Sequence, residues 1–253
     1  MEVIRINDDK SAEIQVEESV VAVGFFDGLH TGHQRVILTA KEIAEKEGKK
    51  WGVMTFDPHP SVVLKGVEKA RYLTPLPVKE KLIQDFGADY LFIVSFTKGL
   101  ASLSPKNFVD EYFAGLDIVH IVAGYDFSFG HKGKGNMDVI DELAEEQFST
   151  TTVKKVEEGD EKISSTRIRG LLDEGNILKV NELLGRPYEI HGAFTSAGMV
   201  DVPDYYHLPG EGRYEAEIEG ETVSVKIRGS GVMADPLTSV TKDEVPIYFR
   251  KKL

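Results

Sequence analysis

The chain has 253 residues, a formal net charge of −12, 41% hydrophobic and 28% charged residues, and no cysteine. This length suits one large domain or a main domain with a small companion, and the hydrophobic content is enough for a real core. The acidic balance argues against a partner bound through its nucleic-acid backbone, and the lack of cysteine excludes disulfides and thiolate metal sites, but a local basic pocket for a small phosphorylated ligand is not excluded.

The N-terminal segment, MEVIRINDDKSAEIQVEESV, is charged and lacks the apolar centre of a signal peptide. No apolar run in the chain approaches the roughly 18 residues that a membrane-spanning helix needs. Since no cysteine suggests an oxidising compartment either, we expect a cytoplasmic protein without a membrane partner.

The next two thirds of the chain alternates strand-like and helix-like segments. Residues 19–26, SVVAVGFF, form a continuous apolar run, as expected of a strand buried on both faces. Residues 32–47 have apolar side chains at helical spacing and end before Gly48, a good helix cap. Further strands are predicted at 50–56, 88–96, 117–124 and 150–157, and further helices at 78–87, 104–116, 137–148, 165–176 and 177–185. The alternation predicts a parallel sheet covered by helices on both faces.

The pattern changes after GRPYEI at 185–190. Residues 191–253 show no convincing helix, whereas 213–227 alternate as a hairpin with a turn near Glu219 and Gly220. We therefore predict two domains, an α/β domain at 1–186 and a small β-domain at 187–253. The second domain is too small to be very stable unless it packs on its neighbour.

The turn after the first buried strand, GFFDGLHTGHQ, contains two histidines three residues apart. Open α/β sheets bind nucleotides where a parallel strand ends and a helix begins, because the helix start offers unpaired N–H groups and partial positive charge. Gly28 and Gly32 remove side chains that would block close approach of the backbone to a ligand. The spacing of three residues lets His30 and His33 face one cleft. There the two imidazoles could bind phosphate oxygens and offset the charge that grows during displacement at phosphorus.

This segment resembles the HxGH signature of the nucleotidyltransferase superfamily, in the form used by bacterial FAD synthetases. Four more segments follow in the order and spacing of the FMN adenylyltransferase module of that family: TFDPHP (55–60), VAGYDFSFG (122–130), ISSTRIRGLL (163–172) and LLGRPY (183–188). The resemblance implies a Rossmann-like HxGH nucleotidyltransferase domain at 1–186. It also implies transfer of AMP from ATP to FMN, which gives FAD and pyrophosphate.

The resemblance also assigns residues to roles. His30 and His33 would be the catalytic residues that orient and stabilise the α-phosphate. The ATP-binding residues would come from the turn and from the start of a later helix: Gly24, Phe25, Phe26, Asp27, Gly28, Gly32, Ser164, Ser165, Thr166 and Arg169. FMN would be bound by residues that follow two other strands: Asp57, His59, Pro60, Asp126 and Phe127. Arg169 is preferred over Arg167 because it matches the arginine that closes the family motif.

No zinc-binding pattern is present in the sequence, which has no cysteine and no HExxH segment. The resemblance implies that Mg²⁺ arrives with ATP, bridges its phosphates and keeps most of its water shell, without a metal cage built by the protein. The expected partners are therefore the small molecules ATP and FMN, and no nucleic acid.

FAD synthetases of this type carry a riboflavin kinase domain, a small β-barrel, after the adenylyltransferase module. The segment LPGEGRYEAEI at 208–218 is similar to part of it, but the G-x-P-T-A-N motif that supplies magnesium and phosphate ligands to the kinase is missing. SAGMVDVPDYYHLPGEG, at 196–212, stands in its place. We therefore expect a degenerate, truncated riboflavin-kinase-like barrel and no phosphorylation of riboflavin.

Two other functions remain open from the sequence. One is a nucleotidyltransferase for another phosphorylated acceptor, because several adenylyl- and cytidylyltransferases share HxGH. The other is a catalytically silent flavin-nucleotide-binding or regulatory protein, which the degenerate second domain favours and the intact HTGH and ISSTRIR segments disfavour.

Overall fold

The computed structural model describes residues 1–7, 14–68, 70–159, 161–195, 198–235 and 244–253. The chain folds as two compact units, and each contains segments that are distant in sequence. The sheet unit consists of Met1–Phe26, Gly32–Ala70 and Leu76–Val156, and the barrel unit consists of Asp27–Thr31, Arg71–Pro75 and Glu157–Leu253. These compact units are defined by packing, whereas the domain boundary predicted at residue 186 divides the chain by function and stays a prediction.

The sheet unit contains a six-stranded parallel sheet of order β1-β4-β3-β2-β5-β8 and a short hairpin of β6 and β7. Its strands are β1 (Glu2–Ile6), β2 (Ser19–Val23), β3 (Lys50–Asp57), β4 (Tyr90–Ser95), β5 (Ile118–Gly124), β6 (Ser128–Phe129), β7 (Gly135–Asn136) and β8 (Ser149–Val153). Its helices are α1 (Thr31–Glu47), α2 (Pro60–Lys65), α3 (Leu76–Asp85), α4 (Lys98–Ser102), α5 (Pro105–Tyr112) and α6 (Ile140–Ala144). Among the described residues, no helix is both long enough and apolar enough to cross a bilayer.

Local sequence explains the predicted elements of this unit. All five residues of β2 are buried, as the apolar run predicted. The hydroxyl of Ser104 caps α5 by accepting a hydrogen bond from the amide of Asn107 (3.1 Å), and Pro105 is the first residue of that helix. Helix α1 ends at Glu47, and Gly48 then takes a left-handed φ of 65°. The parallel α/β architecture predicted from the sequence is confirmed.

Several elements differ from the prediction, and two of them show why. The charged N-terminal residues 2–6 form an additional edge strand, β1, which pairs in parallel with β4. The helix predicted at 137–148 is limited to Ile140–Ala144. It has no side-chain cap at its start, and the chain leaves it through Glu145 and Glu146, which both have positive φ.

Aromatic rings form much of the core of the sheet unit. The centroid of the Phe108 ring lies 5.2–5.3 Å from the ring centroids of Tyr112, Phe113 and Phe129. Phe129 is therefore a core residue, which is the ordinary place for an aromatic residue that follows a strand.

The barrel unit contains a small hairpin, two helices and a closed antiparallel barrel of order β11-β12-β15-β14-β13-β16. Its strands are β9 (Glu157–Glu158), β10 (Glu161–Lys162), β11 (Tyr188–Phe194), β12 (Met199–Asp201), β13 (Gly212–Ile218), β14 (Glu221–Arg228), β15 (Gly231–Ala234) and β16 (Glu244–Lys252). Its helices are α7 (Ser165–Glu174) and α8 (Ile177–Leu184). The predicted small β-domain is therefore confirmed as a six-stranded barrel.

The barrel is stabilised by alternating side chains and by α8. Tyr214, Ala216 and Ile218 on β13 are fully buried, as their alternation predicted. The turn between β13 and β14 has φ values of 51° at Glu219 and 84° at Gly220, which suit a tight hairpin. The side-chain amide of Asn181 on α8 donates a hydrogen bond to the backbone carbonyl of Phe249 on β16 (2.9 Å), which attaches the helix to the barrel wall.

Candidate active site

The carboxyl edge of the sheet gathers residues predicted to contact FMN and one residue, Phe25, predicted to contact ATP. Strands β3, β2 and β5 are neighbours in the sheet and run in the same direction. Phe25 follows β2, His59 follows β3 and Asp126 follows β5. Side chains from three separate segments therefore share one edge of the sheet, where open α/β sheets bind their ligands.

The loop after β3 is held by hydrogen bonds of its own. Asp57 ends the strand, and its carbonyl accepts a hydrogen bond from the amide of Phe96 (2.7 Å). Its peptide bond to Pro58 is cis. His59 caps α2, whose first residue is Pro60: its Nδ1 accepts from the amide of Ser61 (3.1 Å). One imidazole nitrogen of His59 is therefore used for capping.

An aromatic contact orders the same edge of the sheet. The rings of Phe25 and His59 meet edge to face, with their centroids 4.5 Å apart. After β5, Asp126 is exposed, whereas Phe127 is half-buried and stacks on Phe129 with the centroids 5.6 Å apart. An exposed carboxylate beside a partly covered aromatic ring suits a ligand at this edge, and the FMN-binding roles stay predictions.

Lys79 on α3 is a member of this group that sequence reasoning missed. Its side chain is almost fully buried, and its Nζ donates hydrogen bonds to the carbonyl of Phe25 (2.7 Å) and to Oγ1 of Thr55 (3.1 Å). The ammonium group also lies 4.4 Å from the centre of the Phe25 ring, within cation–π range. Lys79 thus fixes the chain as it leaves β2. A single lysine in a short amphipathic helix gives no motif that could have revealed this contact.

The beginning of the predicted ATP-binding turn packs on the first turn of α1. A Cβ on Gly24 would lie 2.9 Å from the ring of Phe26, so only glycine fits there without a shift. Phe26 has a φ of 54°, and its ring meets that of His33 edge to face at 5.4 Å. Gly32 and His33 are the second and third residues of α1, as the sequence predicted for His33.

The next residues of the turn belong to the barrel unit and centre on the carboxylate of Asp27. This side chain is only 3% exposed. It accepts hydrogen bonds from the amides of Leu73 and Thr74, both at 3.0 Å, and pairs with the guanidinium of Arg169. A buried carboxylate with three donors is well satisfied and holds the segment Arg71–Pro75 against the turn Asp27–Thr31.

The start of α7 lies against the same turn. The hydroxyl of Ser165 donates a hydrogen bond to the carbonyl of Asp27 (2.8 Å) across 138 positions of sequence. Ser164 caps the helix by accepting from the amide of Arg167 (3.2 Å), and Thr166 is exposed. The ISST segment and Asp27, both predicted to bind ATP, are therefore in contact.

The two arginines of ISSTRIR have different partners. Arg167 pairs with Glu158 and Glu161 of the β9–β10 hairpin, at 3.0 and 2.8 Å. The hydrogen bonds of Lys179 and Arg167 also lower the pKa of the Glu158 carboxyl. Arg169 instead contacts Asp27 in the turn. This placement agrees with the preference for Arg169 as the phosphate-binding arginine, a role that stays a prediction.

The rest of the turn has an unusual backbone. Gly28 has a φ of 89°, and a Cβ at this position would lie 3.0 Å from Cδ1 of Leu73. Leu29 also has a positive φ, 44°, which non-glycine residues rarely adopt. His30 follows, is 5% exposed and lies directly before α1, as predicted.

Comparison with known proteins identifies the family of the chain. A family model described as FAD synthetase matches residues 12–167. The chain belongs to the FAD synthetase family. It is 43% identical over 218 residues to a bifunctional riboflavin kinase/FMN adenylyltransferase of Listeria monocytogenes, which covers 80% of this chain and 69% of that relative. It is 35% identical over 201 residues to an FAD synthetase of the same species, which covers 79% of this chain and 81% of the relative. The resemblance found in the sequence is confirmed.

A solved structure shares the whole fold. A chain described as a macrolide-efflux protein from Streptococcus pneumoniae is 26% identical, with a TM-score of 0.85 and full coverage of both chains. The two-part architecture of this FAD synthetase family member, a parallel sheet and a barrel, is therefore found in another bacterial protein.

Arg186 is a second residue of this FAD synthetase family member that sequence reasoning left without a role. It lies in LLGRPY, between α8 and β11. Its Nη2 donates hydrogen bonds to the carbonyl of Gly28 and to Oγ1 of Thr74, both at 3.1 Å. Burial lowers the pKa of its guanidinium, while Glu189, Tyr188 and Asp27 act in the opposite direction.

Metal ligands are not clustered in the part of this FAD synthetase family member that the structure describes. There, no group of three or more histidine, aspartate or glutamate side chains could hold a metal ion. The carboxylate of Asp27 is already occupied by two amides and Arg169. The expectation that Mg²⁺ is held mainly by nucleotide phosphates and water stays a prediction.

Proposed function

We propose that the protein transfers AMP from ATP to FMN and releases FAD and pyrophosphate. The observation that carries this proposal is the contact of the ISSTRIR helix with Asp27, in the turn that leads to HTGH, made by the Ser165–Asp27 hydrogen bond and the Asp27–Arg169 ion pair. Two segments that are distant in sequence and both suited to phosphate thus meet at one residue. Family membership and the FMN adenylyltransferase named among the relatives support the same reaction.

In this reaction a phosphate oxygen of FMN attacks the α-phosphorus of ATP in line. A new phosphorus–oxygen bond forms as the bond to the β-phosphate bridging oxygen breaks, and pyrophosphate leaves. The imidazoles of His30 and His33 donate hydrogen bonds to the α-phosphate and offset the charge that grows there. Positioning and electrostatic stabilisation supply the rate, and no covalent intermediate with the protein is needed.

The remaining phosphates of ATP bind at the start of α7. The amides of this ten-residue helix and the hydroxyls of Ser165 and Thr166 are donors suited to phosphate oxygens, and Ser164 caps the helix. Arg169 grips the leaving pyrophosphate. The backbone from Gly24 to Gly32 lies along the nucleotide, where glycines allow close approach.

FMN binds at the carboxyl edge of the sheet. Asp57, His59 and Pro60 after β3 hold one side of the flavin nucleotide, and Asp126 and Phe127 after β5 contact the other. Mg²⁺ bound to the phosphates of ATP would neutralise part of their charge. The residues Lys79 and Thr55 fix the shape of this edge through the carbonyl of Phe25.

We further propose that residues 1–186 are the transferase module and that 187–253 are a degenerate riboflavin-kinase-like barrel without kinase activity. The missing G-x-P-T-A-N motif supports this division. The protein would act on ATP and FMN in the cytoplasm, without a nucleic-acid partner, in keeping with its net charge of −12.

The test is product analysis with purified protein, FMN, ATP and Mg²⁺, in which chromatography measures FAD and a coupled assay measures pyrophosphate. We expect equal amounts of both products and neither without FMN. Pyrophosphate release with another phosphorylated acceptor but not with FMN would indicate a different nucleotidyltransferase. Tight binding of FMN or FAD with no pyrophosphate would indicate a silent binding protein.

A further inference from the structure

Arg186 lies in the short connection between α8 and β11, and its side chain contacts the turn Asp27–Thr31 at Gly28. Helix α8 ends at Leu184 and is capped by Gly185, whose φ of 68° turns the chain. Pro187 directly follows Arg186, has a fixed φ of its own and restricts the backbone of Arg186. One residue later, the amide of Tyr188 donates to Oδ1 of Asn181 on α8 (2.8 Å). Both sides of Arg186 are therefore anchored, and its side chain has a defined starting point.

The hydrogen bonds of the guanidinium are incomplete. Nη2 bonds the carbonyl of Gly28 and the hydroxyl of Thr74, but Nε and Nη1 are buried and have no hydrogen-bond partner among the described residues. In that part of the chain, no carboxylate forms an ion pair with Arg186 either. Burying a charged group with unmatched donors destabilises a fold, so such a group calls for a functional explanation.

The unmatched donors of this guanidinium suit a nearby anion. The carboxylates of Glu189 and Asp27 lie close enough to oppose the lowering of its pKa, and Asp27 also pairs with Arg169. Neither carboxylate accepts a hydrogen bond from Nε or Nη1 of Arg186. A nucleotide phosphate at the turn would add negative charge near Arg186, and this electrostatic benefit does not require direct contact.

The contact with Gly28 acts on a strained part of the turn. The carbonyl that accepts from Arg186 belongs to the peptide that joins Gly28 to Leu29, and these residues have φ values of 89° and 44°. His30 follows directly. A positive φ at leucine persists only where surrounding contacts hold it, and strain of this kind occurs at binding sites. Arg186 is one of those contacts.

We infer that Arg186 is a positioning residue for the nucleotide: its guanidinium holds the Gly28–Leu29 peptide so that the turn and His30 are preformed for phosphate. This role rests on the proposed AMP transfer. It differs from a role in folding alone, because it requires that loss of the guanidinium weaken the binding of nucleotide and not only the stability of the protein.

The experiment compares the wild-type protein with Arg186→Met and Arg186→Lys. Calorimetry measures the affinity for a non-hydrolysable ATP analogue with Mg²⁺ and, separately, for FMN, and thermal unfolding measures stability. We expect Arg186→Met to bind the analogue roughly 10- to 100-fold more weakly, the effect of losing charged hydrogen bonds, with FMN affinity unchanged. Arg186→Lys keeps the charge but not the planar fork, so its affinity should be intermediate. The exposed barrel residue Arg213 provides the control, and Arg213→Met should bind the analogue as the wild type does.

Wild-type affinity for the analogue in Arg186→Met, whether or not its Tm falls, would overturn the positioning role. If Arg186→Met does not fold, Arg186→Lys provides the test. Wild-type affinity of Arg186→Lys for the ATP analogue would show that the planar guanidinium is not needed, and would equally overturn the positioning role. A wild-type protein that binds the analogue but forms no FAD would overturn the proposed reaction, while weaker binding by the variants would still support the role of Arg186. No binding by the wild type would overturn both.

Discussion

The two histidines of the HTGH segment have different surroundings. His30 ends the strained turn and is 5% exposed, whereas His33 lies in the first turn of α1, is half-buried and meets the ring of Phe26. His30 depends on the contacts of Asp27, Gly28 and Arg186 for its position. His33 lies within a regular helix and is more exposed than His30, so its side chain can be removed with less effect on the fold.

His33 therefore provides a direct test of the proposed chemistry. We expect His33→Ala to keep the fold and lose about 10²–10³ in turnover, the usual effect of removing one donor that stabilises developing charge. Rates of FAD formation and urea unfolding measure the two effects. His191→Ala, on barrel strand β11, is the matched control and should retain both properties. Wild-type turnover in His33→Ala would remove this imidazole from the mechanism.

At the scale of elements, burial and capping decided what could be predicted. Strands such as β2 are buried along their whole length and were visible as apolar runs, and α5 was visible through Ser104 and Pro105. The N-terminal strand β1 was not visible, because it is an edge strand with three exposed residues out of five. Its pairing with β4 depends on the folded sheet and not on its own composition.

The residues of the candidate site likewise fall into those that the sequence could propose and those that it could not. The motif residues were predictable because phosphate chemistry requires glycines, hydroxyls and helix starts near one another. Arg186 and Lys79 were not, because their contacts are made across 158 and 54 positions of sequence and depend on how the units pack internally. A basic residue outside any phosphate motif does not reveal that it holds a backbone carbonyl.

The turn itself can be tested at Gly28. Alanine there would have to adopt a φ of 89° and would place its Cβ 3.0 Å from Leu73, whereas Gly48 has a φ of 65° with no atom within 4 Å of a Cβ. Both substitutions cost about 1–2 kcal/mol from the left-handed backbone. We expect Gly28→Ala to cost more than Gly48→Ala in urea unfolding, and to lose turnover that Gly48→Ala retains. Equal losses in the two variants would mean that packing on Leu73 is unimportant.

A histidine between strands β5 and β8 predicts that the stability of the fold depends on pH. His120 on β5 contacts Oγ1 of Thr151 on β8 at 2.8 Å. Burial lowers the pKa of its imidazole from the ordinary value of about 6.5, while Glu47 acts in the opposite direction. The unfolded chain then takes up a proton at a higher pH than the folded protein. This contribution to stability is complete above about pH 6.5 and is lost as the pH falls towards the lower, folded pKa.

We therefore expect the free energy of unfolding to fall between about pH 7.5 and about pH 5, and to fall less in His120→Gln, which cannot take up the proton. Urea titrations across this range measure the difference. The same pH dependence in both proteins would show that other groups cause it.

At the scale of the molecule, a loop of the barrel supports the segment that holds Asp27. The amide of Tyr72 donates to the carbonyl of Tyr205 (2.7 Å), and the amide of His207 donates to the carbonyl of Tyr72 (3.0 Å). The next amides after Tyr72, those of Leu73 and Thr74, bind the carboxylate of Asp27. The barrel segment 203–207 thus supports the residues that hold the turn.

This support uses the segment that stands where the kinase motif would be. In the described part of 196–212, which leaves out 196 and 197, the amide of Gly210 donates to the carbonyl of Leu172 on α7 (2.8 Å). A Cβ on Gly210 would overlap the carbonyl of Asp173, and Nε2 of His207 lies 2.8 Å from the carboxylate of Asp173. The segment is therefore packed on α7 and on Tyr72, and its backbone supports residues predicted to bind ATP.

From this use of the segment we expect no riboflavin kinase activity. Riboflavin and ATP with Mg²⁺ should give no FMN and hence no FAD, whereas the same preparation should convert FMN to FAD. Because the motif that would supply metal and phosphate ligands is absent, added Mg²⁺ or ATP should not restore the reaction. Chromatography of both mixtures over the same time course makes the comparison, with the FMN reaction as the internal control. FMN formed from riboflavin at a rate near that of FAD formation would mean that the packed segment also serves a second active site.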